Sequence, residues 1–158
     1  MQTALREAVR PTRGRESIPS AAILESHSVN TTEQGGERGS DAGKKVSGRT
    51  RQLLVETNGL MLDVLVHPAT ITDRQRATLL LSPLKRICPR VTLIWTESGS
   101  AGTLQEWVTT PLNGTQDIGK RPFEGVRSVW VLPGVEPPEI PRGCVVVTRR
   151  WVVERTFG

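Results

Sequence analysis

The sequence predicts an α/β domain built on a mixed sheet with flanking helices, and three observations predict it. Thr57, Asn58 and Gly59 separate two apolar runs, Leu53 to Val55 and Leu60 to Val66. Asn-Gly between apolar runs marks a tight antiparallel hairpin, because both residues tolerate positive φ. A helical pattern opening at Thr72 then stands between an early apolar run, Ala21 to Val29, and a later one, Val91 to Trp95. Strand, helix, strand in that order gives a right-handed crossover, which lays the two strands side by side and parallel. The third observation is length: 158 residues suffice for one core and are too few for two.

Taken in order, residues 1–20 are polar, with Arg6, Arg10, Arg13 and Arg15 interrupted by Pro11, Gly14 and Pro19. They read as a flexible N-terminal arm, and residues 21–158 as the domain. Ala21 to Val29 is the first strand, and Asn30 to Gly43 is a polar, glycine-rich loop. The hairpin supplies strands two and three. Its open end is basic, with Lys44, Lys45, Arg49 and Arg51. In the helix after Thr72 or Asp73, either a plausible N-cap, Ala77, Leu80, Leu81 and Leu84 share one face. Pro83 should end its first part.

Val91 to Trp95 is the fourth strand, followed by a short helix from Thr103 to Thr109 with Leu104, Trp107 and Val108 on one side. The stretch from Thr110 to Arg142 is the least legible, with a strand expected over Val126 to Leu132. Cys144 to Val147 reads as a last strand, and Thr148 can cap a helix containing Trp151 to Phe157. Glu25 and Glu97 then stand at the carboxyl ends of two adjacent parallel strands, where open α/β sheets bind ligands.

Composition narrows the function classes. Twenty-one Lys and Arg against 16 acids give +5, a balance that suits polyanions as well as plain solubility. Cys88 and Cys144 are far apart and lie in or beside apolar runs, which argues for reduced core thiols rather than zinc. Neither His27 nor His67 accompanies a recognisable nucleophile motif, and no Gly-Lys-Ser/Thr follows Gly35 and Gly36 to make a phosphate loop. His67, before Pro68, reads as structural, and Trp95, Trp107, Trp130 and Trp151 read as core anchors. No run approaches a membrane span and no apolar signal centre opens the chain, so a cytoplasmic location is expected.

The wording of the chain is also familiar. Pro19 to Val29, Thr31 to Glu33, Asp41 to Leu60, His67 to Ala69, Asp73 and Arg74, and finally Arg149 to Phe157 together resemble the catalytic domain of bacterial insertion-sequence transposases of the DDE type. The likeness covers about Arg10 to Phe157. It implies a ribonuclease-H-like fold, here incomplete at the C-terminus, because the chain continues for only a few residues past Glu154.

The same resemblance implies a metal site at Glu25, Glu97 and Glu154, where the family has Asp, Asp and Glu. The chemistry it implies is DNA cleavage and strand transfer in transposition, with Mg²⁺ or Mn²⁺ as cofactor. Partners would be DNA, both element ends and target, with oligomerisation on DNA and no membrane. Two family tyrosines are replaced by Ser40 and Ser100, and His27 and Asn30 stand where Gln and Lys are more usual. With Glu at two Asp positions, weak or absent strand transfer is expected. The alternative is a non-catalytic transposase remnant that at most binds DNA non-specifically. Lys44, Lys45, Arg49, Arg51, Arg149 and Arg150 are the candidate DNA-binding residues; solubility alone would also account for the hairpin's charges, and a pair with Glu154 for Arg150.

Overall fold

The computed structural model describes residues 2–32, 36–96, 103–119 and 130–137, together with 152 and 156. Its central feature is a long antiparallel pair, β1 (Ala21–Asn30) against β3 (Val46–Glu56), in register from Ala22↔Glu56 to Asn30↔Gly48. The far edge of β3 is shared by two short partners. β2 (Gly39–Asp41) pairs with its first residues, and β4 (Met61–Pro68) with the remainder. On the other side of β1 lies β5 (Leu93–Thr96), parallel to it, and β6 (Thr115–Ile118) is parallel to β5. The sheet is therefore mixed, antiparallel on one side of β1 and parallel on the other.

Side chains alternate between the two faces of a strand, and directly opposed residues share a face. Ala22, Leu24, Leu54, Leu62 and Ile94 point to one face and form the main core. Helices α2 (Asp73–Leu81), α3 (Leu84–Ile87) and α4 (Thr103–Thr109) cover it with Ala77, Leu80, Leu81, Leu84, Leu104 and Val108. Thr72 is the extended N-cap of α2, and the Gln75 side chain reaches back to accept its backbone N–H at 3.4 Å. Pro83 separates α2 from α3 and serves as the N-cap of α3. The opposite face carries a smaller cluster of Ile23, Leu53, Val55 and Val152, with Met61 and Trp95 against it.

The antiparallel hairpin, the split helix, the parallel β1–β5 pair and the short helix over Thr103–Thr109 all form as the sequence predicts. Other expectations need correction. Residues 1–20 are not a loose arm: α1 spans Gln2–Thr12 and buries Arg6 and Arg10. Polarity misled there because the buried face of α1 is cationic rather than apolar. The loop expected from Asn30 contains β2, and β3 extends back through the basic residues to Val46. β6 arises in the stretch that was hardest to read.

Trp130 is no core anchor, being 96% exposed, and Trp130 to Leu132 are not a strand. Trp95 and Trp107 are half-buried against the two clusters. The rest of the strand expected over Val126 to Leu132, the strand expected over Cys144 to Val147, and Trp151 lie outside the described residues. Cys88 is a free buried thiol, and burial raises its pKa, as expected of an inert core cysteine. His67 is buried and donates from Nδ1 to the Pro68 carbonyl at 2.9 Å, a structural role.

Among the described residues, an ion pair fastens helix α1 to the sheet. The Arg10 guanidinium donates to the Glu56 carboxylate, and both side chains are almost fully buried. Arg10 Nε also donates to the Glu16 carbonyl at 2.7 Å. The same Glu56 carboxylate accepts the backbone N–H of Asn58 (2.8 Å) and of Leu60 (3.2 Å), so it also closes the β3–β4 turn. Desolvation by burial, followed by the neighbouring Arg15 and Arg6, lowers the pKa of Arg10.

Removing one partner of such a pair strands a buried charge. Arg10→Ala or Glu56→Ala is expected to cost about 3–5 kcal/mol in urea denaturation, far more than an exposed Arg13→Ala. A second prediction concerns Gly48. A Cβ there would collide with the Val29 carbonyl and lie 2.7 Å from the Thr31 nitrogen, both backbone atoms that cannot rotate away. Gly48→Ala should therefore destabilise by about 1–3 kcal/mol or more, read by the same denaturation curve.

Candidate active site

Glu25 sits on β1 two residues beyond Ile23, the last that pairs with β5, and its register partner on β3 is Leu53. It is 7% exposed. By strand alternation it shares the face of Ile23, Leu53, Val55 and Trp95, the smaller cluster rather than the main core. Val152, with helical backbone, is buried in that cluster, and Thr156 Oγ1 donates to its carbonyl at 3.3 Å. Val152 thus packs on the same face of the sheet as Glu25. Glu97, Glu154, Arg149 and Arg150 lie outside the described residues.

Outward from Glu25, the next rungs of the β1–β3 ladder are His27↔Arg51 and Val29↔Arg49. Arg51 Nη2 and His27 Nδ1 are 3.1 Å apart; because a guanidinium only donates, Nδ1 is the acceptor. Arg49 Nε donates to the Glu37 carbonyl at 3.0 Å. On β4, Val64 and Val66 oppose Leu53 and Arg51 and are 46% and 54% exposed, so this part of the face is open.

The candidate basic residues do not act as one group. Lys44 reaches to the helical face, where its ammonium lies 2.5 Å from Asp73 Oδ2 and 3.3 Å from Ser28 Oγ. Ser26 Oγ donates to the same Asp73 oxygen at 2.7 Å, and Gln52 Nε2 to the Asp73 carbonyl at 2.6 Å. Lys45 is exposed in the β2–β3 turn with φ +53°. Arg49 and Arg51 therefore share the face of Glu25, whereas Lys44 is held on the opposite one. Sequence reasoning missed this division and the role of Asp73; the alternation of Ser26 and Ser28 with Glu25 and His27 was the available signal.

Among the described residues no three His, Cys, Asp or Glu side chains cluster to hold a metal, and no helix is long and apolar enough to cross a membrane. The family model for the transposase DDE domain matches residues 16–158. The chain belongs to this family. The observed sheet, an antiparallel β1–β3–β4 unit followed by parallel β5 and β6, is its ribonuclease-H-like mixed arrangement.

No curated protein matches the sequence. Among solved structures, the Mos1 transposase paired-end complex with left transposon end is similar at 12% identity and TM-score 0.40, over 73% of this chain and 40% of that one. The Mos1 strand transfer complex gives the same identity and score over 73% and 39%. The chain thus spans about two fifths of the length of these proteins.

The contacts of Asp73 make a separate prediction. It stands in the first turn of α2, where a negative charge is favoured, and it receives Lys44 and Ser26. Asp73→Ala should cost about 1–2 kcal/mol by thermal or chemical denaturation, with Lys44→Ala costing less because the lysine is partly exposed.

Proposed function

We propose that this chain is a transposase catalytic domain performing metal-dependent DNA cleavage and strand transfer in DNA transposition, with activity lowered by Glu at two positions where the family has Asp. Glu25, Glu97 and Glu154 are the proposed metal-holding residues. The observation that supports this reading most is the parallel pairing of β1 with β5, whose register includes Ile23↔Trp95. Glu25 follows Ile23 by the same two residues as Glu97 follows Trp95. Val152, two residues before Glu154, is buried on the sheet face that carries Glu25. Ile23, Trp95 and Val152, each two residues before one of the three acids, share one cluster, and this supports placing the acids near one another.

Carboxylate oxygens suit Mg²⁺ or Mn²⁺. Glu25, Glu97 and Glu154 would hold such ions, and the chemistry these would supply is activation of the attacking oxygen and stabilisation of the leaving one. The protein's part is to hold its carboxylates in place. A Glu carries its carboxylate about one bond length further from the backbone than Asp, whereas such constellations tolerate about 0.5 Å of misplacement. That excess favours a second reading, a domain that binds DNA without cutting it.

Nicking of supercoiled plasmid in Mg²⁺ and Mn²⁺ separates the two. The wild-type chain should nick slowly or not at all, and Glu25→Asp with Glu97→Asp should raise the rate by about a hundredfold. Glu154→Ala should abolish nicking in either background. A doubly restored chain that stays inactive in both metals, while remaining folded, would leave only the DNA-binding reading.

A further inference from the structure

Resting on the reading of DNA as partner, we infer that His27 is a positioning residue. It holds the Arg51 guanidinium on the sheet face of Glu25, where Arg51 grips a DNA backbone phosphate beside the cleavage site. Three observations carry this. First, the ladder registers Glu25↔Leu53, His27↔Arg51 and Val29↔Arg49 put His27 and Arg51 on the face of Glu25 and one rung outward from it. One rung is two residues, about 7 Å along the strand. Secondly, Arg51 Nη2 donates to His27 Nδ1 at 3.1 Å, so the imidazole is an acceptor on that side and its other nitrogen carries the proton. Thirdly, the face is open beside it, since the flanking Val66 is 54% exposed and His27 itself is exposed, while Arg51 is half-buried with its Nε turned inward.

The chemistry follows from those positions. A guanidinium matches a phosphate as a planar fork, but only when its orientation is fixed in advance; a swinging arginine loses rotamer entropy on contact. His27 fixes that orientation from the neighbouring strand. Arg49, one rung further out with its Nε held by the Glu37 carbonyl, extends the cationic line away from the acid. Lys44, drawn to Asp73 on the other face, is not part of it.

The test is binding of the full chain to a short fluorescein-labelled duplex of arbitrary sequence, by anisotropy across a salt series. Metal is left out, so that cleavage does not enter. Arg51→Ala should lower affinity by about five- to tenfold near 0.1 M salt and reduce the log–log salt slope by about one. His27→Ala should lower affinity by about three- to fivefold and reduce the slope, yet add nothing further in the Arg51→Ala background. His27→Gln keeps an acceptor at that place and should restore affinity to within about twofold.

A purely structural role for His27 would change the fraction folded, read in parallel by thermal melting, and leave the salt slope alone. An unchanged slope in His27→Ala, or equal losses with and without Arg51, would overturn the inference. Absence of wild-type binding would overturn it together with the DNA reading. The expected coupling, together with a Glu25→Asp, Glu97→Asp chain that stays folded and does not nick plasmid, would keep it and remove only the catalytic reading.

Discussion

The pairing of β1 with β3 is the constraint on which the rest of the molecule depends. Because side chains alternate at every residue, a slip of one position would exchange the two faces of the sheet. Leu24 and Leu54 would leave the main core, and Glu25 would be driven into it beneath α2 and α4. Two features prevent such a slip. At one end Gly48 lies so close to the Val29 carbonyl that no other residue fits, and at the other Glu56, opposite Ala22, is committed to Arg10 and to the β3–β4 turn. The register is pinned by a steric contact and by a buried charge.

The polar groups inside the fold are distributed by face. On the helical side, Ser26, Ser28, Thr50, Gln52 and Asp73 form a hydrogen-bonded patch that draws Lys44 inward and seats the first turn of α2. On the other side, the acid and the two arginines stand in line. The same pair of strands therefore uses alternate residues for two tasks, fastening a helix and presenting charge. Burial of Arg10 and Glu56 is a third use of charge. It replaces the apolar face that α1 lacks, so a helix of polar composition can still be anchored.

These divisions also decide what could be read in the sequence. Turn chemistry at Asn58 and Gly59, the apolar spacing of Ala77, Leu80, Leu81 and Leu84, and Pro83 are local signals, and the elements they imply are present. Glu25 was legible as a strand acid, and the family wording brought the other two acids into view. The helix α1 was not legible, since its only buried residues are Arg6 and Arg10, and the partner of Arg10 lies 46 positions away. β2 and β6 are short and polar, and exist because an adjacent strand offers them an edge. Trp130 failed for the opposite reason: an apolar neighbourhood in sequence did not become a packed one in space.

The shared edge of β3 has a consequence for motion. β4 follows β3 along most of its length and also supports the main core through Leu62, whereas β2 contributes three residues to the start of that edge and, among the described residues, has no other strand beside it. Segments with few buried contacts open at lower free energy than the core strands that bound them. The β2–β3 tip, with Lys45 at its turn, is therefore less deeply anchored than the rungs at Glu25 and Arg51. Its amides would exchange with solvent earlier than those of Leu53 to Val55, and what holds the tip down is the short β2–β3 ladder, the Ser47 amide on Asn30 Oδ1 and the hold of Lys44 on Asp73.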